Sequence, residues 1–160
     1  MTFLEAHRTL RAFQGGPSLA FLLAMSGTSD PLELYVRAAA ARQGRLAQIR
    51  TLPFGTLAQA LRRPVEGTDA EVVLLLPWDL VPHLDWRVGL PQIRLDLSAA
   101  EVEAAEVCDL IRARSRARVV YLPAKLPPAF VNAKHTRKLE ALLLAKALSL
   151  EAQVLPESAF

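Results

Sequence analysis

Apolar positions return along this chain in two alternating rhythms. Phe3, Ala6, Leu10 and Phe13 recur at helical spacing. Thr2-Phe-Leu-Glu5 has the form of a capping box, so residues 3 to 13 are predicted as an amphipathic helix. Gln14-Gly15-Gly16-Pro17 ends it. "SLAFLLAM" (18 to 25) is then an unbroken apolar run between turn signals, which suits a central parallel strand covered on both faces. Asp30 is expected to cap the next helix, with Pro31 at its first position. Leu32, Tyr35, Val36 and Ala39 form the apolar face of that helix, and Gly44 closes it.

The same alternation continues. "AQIRTL" (47 to 52) reads as a second strand and "TLAQALRR" (56 to 63) as a short helix stopped by Pro64. "EVVLLLPW" (71 to 78) is the strongest strand, from its length and its β-branched and aliphatic content. After a loop with Pro82, Gly89 and Pro91, Ser98 opens a helix that runs to Ala113, with Glu101 completing a second capping box. "ARVVYLP" (117 to 123) is a fourth strand and residues 124 to 131 a proline-rich loop. A long helix runs from Asn132 or Ala133 to Leu148, and "AQVLP" (152 to 156) is a short fifth strand.

Strands alternating with helices imply right-handed crossovers and a mostly parallel sheet. The expected fold is therefore α/β, a three-layer αβα sandwich of about five strands with flavodoxin-like topology. Residues 1 to 160 form one domain, of which 1 to 16 are an N-terminal helix and turn. A chain of this length buries roughly 70% of its unfolded surface, so it needs neither disulfide nor metal to hold together.

Composition agrees: 52% of residues are hydrophobic and the mean hydropathy is +0.22, which excludes disorder. Cys108, the lone cysteine, sits in a helical pattern and reads as a buried structural thiol that suits a reducing compartment. No apolar run approaches the roughly 20 residues of a membrane span. "PSLAFLLAM" follows Arg8 and Arg11 but is short and preceded by a helix, so it does not read as a signal peptide. A cytoplasmic protein without a membrane partner is expected. The net charge is only +3. Arg112, Arg114, Arg116 and Arg118 cluster where the macrodipole favours cations, and with 6% aromatics there is no nucleic-acid footprint.

In parallel sheets ligands bind at the carboxyl ends of strands, where strand order reverses. That singles out Ser26 to Asp30, Pro53 to Thr56 and Pro77 to Leu80, with Lys125 as a fourth candidate. Ser26, Thr28 and Ser29 offer hydroxyls beside helix-start amides, a setting that holds an anion or simply caps a helix. Neither a P-loop nor a dinucleotide fingerprint is present.

"LLAMSGTSDPLELYVRAA", "LPFGTLAQAL" and "DAEVVLLLPWDL" together resemble the SGNH, or GDSL-type, hydrolase fold. The closer likeness is to the SGNH-like N-terminal domain of FkbH-type proteins, which carry a HAD-type domain behind it. The likeness covers residues 18 to 82. It implies a nucleophile's place at Ser26 or Gly27, oxyanion donors at Gly55 and at the position of Asp79, and a late Asp-x-x-His base. Asp79 stands where the family has Asn, and an ionised carboxylate repels an oxyanion. Asn132-Ala-Lys-His135 has the base's spacing, but with Asn for Asp and after the fourth strand instead of the fifth. The implied machinery is incomplete, as it is in FkbH-type N-terminal domains.

His7 and His83 have no metal-site spacing. The carboxylates Asp79, Asp85 and Asp96 are scattered, so neither metal nor cofactor is expected. Trp78 and Trp86 flank Asp79, as a ligand-binding wall or as core.

The reading is a domain that binds instead of reacting, with a pocket of Ser26, Gly27, Thr28, Ser29, Asp30, Gly55, Trp78, Asp79 and Lys125. By resemblance it serves polysaccharide- or polyketide-type biosynthesis. Its expected partners are a small acyl or sugar-linked ligand, a HAD-type protein or an acyl carrier protein. The alternatives are an esterase or acyltransferase using Ser26 with a base supplied by Asp79 or by another chain, and a scaffold that forms a homodimer through its last helix and end strand.

Overall fold

The computed structural model describes residues 1–53, 56–63, 66–85, 96–114, 117–124 and 133–155. It is a three-layer α/β sandwich. Among the described residues five strands form one sheet in the order β2-β1-β3-β4-β5: β1 (Ser18–Ala24), β2 (Leu46–Thr51), β3 (Ala70–Leu75), β4 (Ala117–Tyr121) and β5 (Gln153–Val154). Every pairing is parallel. The helices are α1 (Phe3–Ala12), α2 (Asp30–Arg42), α3 (Leu57–Leu61), α4 (Pro77–Leu80), α5 (Leu97–Arg112) and α6 (Ala133–Leu148).

Period-two alternation sends successive strand residues to opposite faces of the sheet. Leu22, Ala24, Val73, Leu75 and Tyr121 enter the larger core cluster, together with buried residues of α3, α5 and α6. Leu23, Leu74 and Met25 enter the smaller one, with Phe21, Ile49 and Leu32 of α2 packed around them. The central strands are thus apolar on both faces, the property that "SLAFLLAM" advertises.

Capping decides several boundaries. Thr2 and Glu5 make the expected capping box: Glu5 N donates to Thr2 Oγ1 at 3.2 Å and Thr2 N to Glu5 Oε2 at 2.7 Å. Gly44 follows α2 at φ +70° and donates to Ala41 O, the left-handed exit that glycine makes cheap.

Four local expectations are corrected. Ser29, not Asp30, is the N-cap of α2; Asp30 is the first helical residue, and Pro31 follows it. Ala39 is exposed, and α2 buries Ala38 and Ala40 instead. Asp96, not Ser98, caps α5, its carboxylate accepting from the amides of Ser98 and Ala99, because an ionised acceptor two residues earlier outcompetes the hydroxyl. Finally, β3 stops at Leu75, and Pro77 to Leu80 form a single helical turn. Pro77 has no amide to give the ladder, and its fixed φ suits a first helical position.

Candidate functional site

The strand order places the reversal point at the neighbouring carboxyl ends of β1 and β3, the place where doubly wound sheets hold ligands. The loop after β1 brings Ser26 there, and the helical turn after β3 brings Asp79. Both are buried, at 3% and 6% exposure. Ser26 Oγ donates to Asp79 Oδ1. The other carboxylate oxygen accepts from Leu76 N at 2.7 Å, and Asp79 N donates back to Leu76 O at 2.9 Å. Each side of this clasp explains the other. A buried carboxylate is costly unless hydrogen-bonded, and the turn opened by Pro77 carries Asp79 to the third helical position, where it reaches back to the first free amide.

Around the clasp, Gly27 and Ser29 are half-buried while Thr28 and Asp30 are exposed. Ser29 Oγ donates to Glu33 Oε1 at 3.0 Å, and Glu33 pairs with Arg37 at 3.5 Å. Ser29 therefore serves its own helix. Among the described residues, a Cβ added at Gly27 would meet Met25 Cε, at 3.2 Å. Trp78 lies buried in the larger core cluster. Gly55, Trp86, Lys125 and Asn132 lie outside the described residues.

The arrangement limits the chemistry. A hydroxyl has one proton, and that of Ser26 is directed at a carboxylate. As a ligand contact Ser26 then offers lone pairs. As a nucleophile it faces a carboxylate where serine hydrolases place an imidazole. The histidines are engaged or exposed elsewhere. His83 Nδ1 is 2.7 Å from Glu103 Oε1, the His7 ring meets Phe3 edge-on, and His135 is exposed in the first turn of α6. Among the described residues no group of three or more His, Cys, Asp or Glu side chains is placed to hold a metal ion.

Two features escaped sequence reasoning. Arg114, part of the cationic cluster at the end of α5, donates through Nε to the buried Glu71 of β3. Through Nη1 it also reaches Leu61 O at 3.2 Å and Arg63 O at 3.0 Å, closing the end of α3. The signal was a Glu opening the otherwise aliphatic run "EVVLLL". The second feature is a cleft of about 410 Å³ between α5 and α6, lined in part by Glu101, Cys108, Arg112 and Lys146. Cys108 itself is fully buried, as expected, and burial pushes its thiol pKa up.

No family model and no curated protein matches the chain. Its structure is similar to a crystal structure of the N-terminal part of the protein BF1531 from Bacteroides fragilis, containing a phosphatase domain complexed with Mg. The TM-score is 0.63 at 13% identity. The match covers 94% of this chain and 40% of that one, so this chain spans well under half the length of its structural neighbour. At that identity the likeness is one of fold: a related α/β architecture.

Proposed function

We propose that this chain is a binding domain on an SGNH-like frame, with incomplete catalytic machinery, in a polysaccharide- or polyketide-type biosynthetic system. Its pocket is the carboxyl end of β1 and β3. Its proposed lining is Ser26, Gly27, Thr28, Ser29 and Asp30 from the loop after β1 with Trp78 and Asp79 from the turn after β3, and Gly55 and Lys125 are further sequence candidates. The ligand is a small polar, acyl or sugar-linked group, free or carried by a partner such as an acyl carrier protein. The observation that carries the reading is the buried Ser26–Asp79 hydrogen bond. It joins two strand-end loops at the reversal point and points the hydroxyl at a carboxylate instead of an imidazole. Similarity to a protein whose solved part contains a phosphatase domain, of which this chain spans 40%, supports a role beside a HAD-type partner.

A serine hydrolase is the second reading, favoured by the same contact if Asp79 takes the proton of Ser26. A fluorophosphonate probe separates the two. The expected result is no covalent adduct, and hydrolysis of p-nitrophenyl acetate that is unchanged by Ser26→Ala. An adduct lost in Ser26→Ala establishes the hydrolase and ends the binding reading. For binding itself, amide-resolved NMR with acetyl-phosphopantetheine and with glucose as probes is expected to move signals of residues 26 to 30 and 76 to 79. Shifts confined to other elements place the pocket elsewhere.

A further inference from the structure

One exposed stripe of α1 and one of α5 carry the same pattern with opposite charge. On α1, Leu4, Arg8 and Arg11 are spaced i, i+4 and i+7, and all three are exposed, Leu4 at 58%. On α5, Val102, Glu106 and Asp109 have the identical spacing and are also exposed, Val102 at 59%. Residues at these intervals line one stripe of a helix. Each stripe therefore reads apolar, charged, charged from its N-terminal end, cationic on one helix and anionic on the other.

Laid side by side in parallel, the two stripes match at every position. Leu4 meets Val102, Arg8 meets Glu106 and Arg11 meets Asp109. An antiparallel arrangement would set an apolar side chain against a charge at both ends. The one acid on the first two turns of α1, Glu5, is turned away to its own cap, with Oε2 on Thr2 N. On α5, Asp109 is already held by Arg112 at 2.7 Å, an exposed pair of the kind that gives little stability and is easily shared.

The two stripes cannot meet within one molecule. α1 packs on α2, on the side of the smaller core cluster. α5 buries its opposite face in the larger cluster across the sheet. We infer that this chain associates with further copies of itself head to tail, the Leu4–Arg8–Arg11 stripe of one copy on the Val102–Glu106–Asp109 stripe of the next. Such a contact is heterologous. It propagates into rows or closes into a ring, and it does not stop at a two-fold dimer. One helix on one helix buries less than a standard interface, so the contact is weak and depends on concentration. Its charged part also weakens with salt. The same surfaces oppose a symmetric dimer through either stripe, since like charges would then face each other.

Sedimentation velocity on the whole chain tests this from about 10 to about 500 µM, a range suited to a small interface. At about 50 mM salt the weight-average sedimentation coefficient is expected to rise with concentration, and at about 500 mM the rise is lost. Arg8→Glu/Arg11→Glu is expected to sediment as a monomer throughout, and so is Glu106→Lys/Asp109→Lys. Mixed in equal amounts the two variants associate again, because the basic α1 of the second fits the acidic α5 of the first. Circular dichroism melts check that each is folded. A native chain that stays monomeric overturns the inference, and so does a salt-insensitive dimer that persists in both variants. A mixture that fails to reassociate overturns it as well.

Discussion

Replacing Glu71 by Ala removes one half of a buried ion pair and leaves the other half in place. Arg114 would keep its Nη1 contacts to Leu61 O and Arg63 O but lose the carboxylate that offsets its charge. Stranding one buried partner typically costs 3–5 kcal/mol. The two retained carbonyl contacts place Glu71→Ala at the low end, about 3 kcal/mol. For a chain of this size that corresponds to a fall in melting temperature of roughly 6 to 12 °C. Arg114→Met alone should cost about the same, because it strands Glu71 and frees two carbonyls, each hydrogen bond being worth about 1 kcal/mol. The double variant Glu71→Ala/Arg114→Met removes both charges together. It is expected to cost about 2 kcal/mol, far less than the sum of the singles. Urea denaturation followed by far-ultraviolet circular dichroism measures all three. If Glu71→Ala costs under about 1 kcal/mol, or if the single costs simply add, the pair is not the buried staple described and the reasoning fails.

The remaining predictions concern other parts of the molecule. A Cβ at Gly16 would lie 2.1 Å from Gly44 O, where two turns touch through backbone alone. Gly16→Ala should therefore destabilise by at least about 2 kcal/mol in the same urea assay, whereas Gly27→Ala, facing the end of the Met25 side chain, should cost less than about 1 kcal/mol. Ser26→Ala leaves Asp79 with Leu76 N but without its hydroxyl donor. The expected loss is about 1.5–3 kcal/mol, and a neutral result would mean that the clasp does not hold the two loops. Burial raises the pKa of both Cys108 and Tyr121, with nearby Glu140 adding to the effect at Tyr121. Their unfolded forms ionise first as pH rises, so their contribution is full below pH 8 and declines from about pH 8.5 upward, then further beyond about pH 10. Melting temperatures that rise across that range would contradict this sign. Cys108 should also resist alkylation at pH 8 until the chain unfolds.

Local chemistry made the elements legible. Apolar runs without polar interruption required strands covered on both faces, and caps such as Thr2–Glu5 and the exit at Gly44 were written within a few residues of where they act. The loops at the strand ends followed from the alternation itself. Errors arose where two local signals competed. Pro77 ended β3 before Trp78, and Asp96 outbid Ser98 for the cap of α5. Partnership across distance was legible only through resemblance, which set Asp79 beside Ser26 across 53 residues. Glu71 and Arg114, 43 residues apart, carried no such signal. No periodicity in the sequence specifies which buried acid meets which donor. That choice was made only when the parallel order β2-β1-β3-β4-β5 brought β1 beside β3 and β3 beside β4, since a buried charge takes whichever donor the packing sets against it.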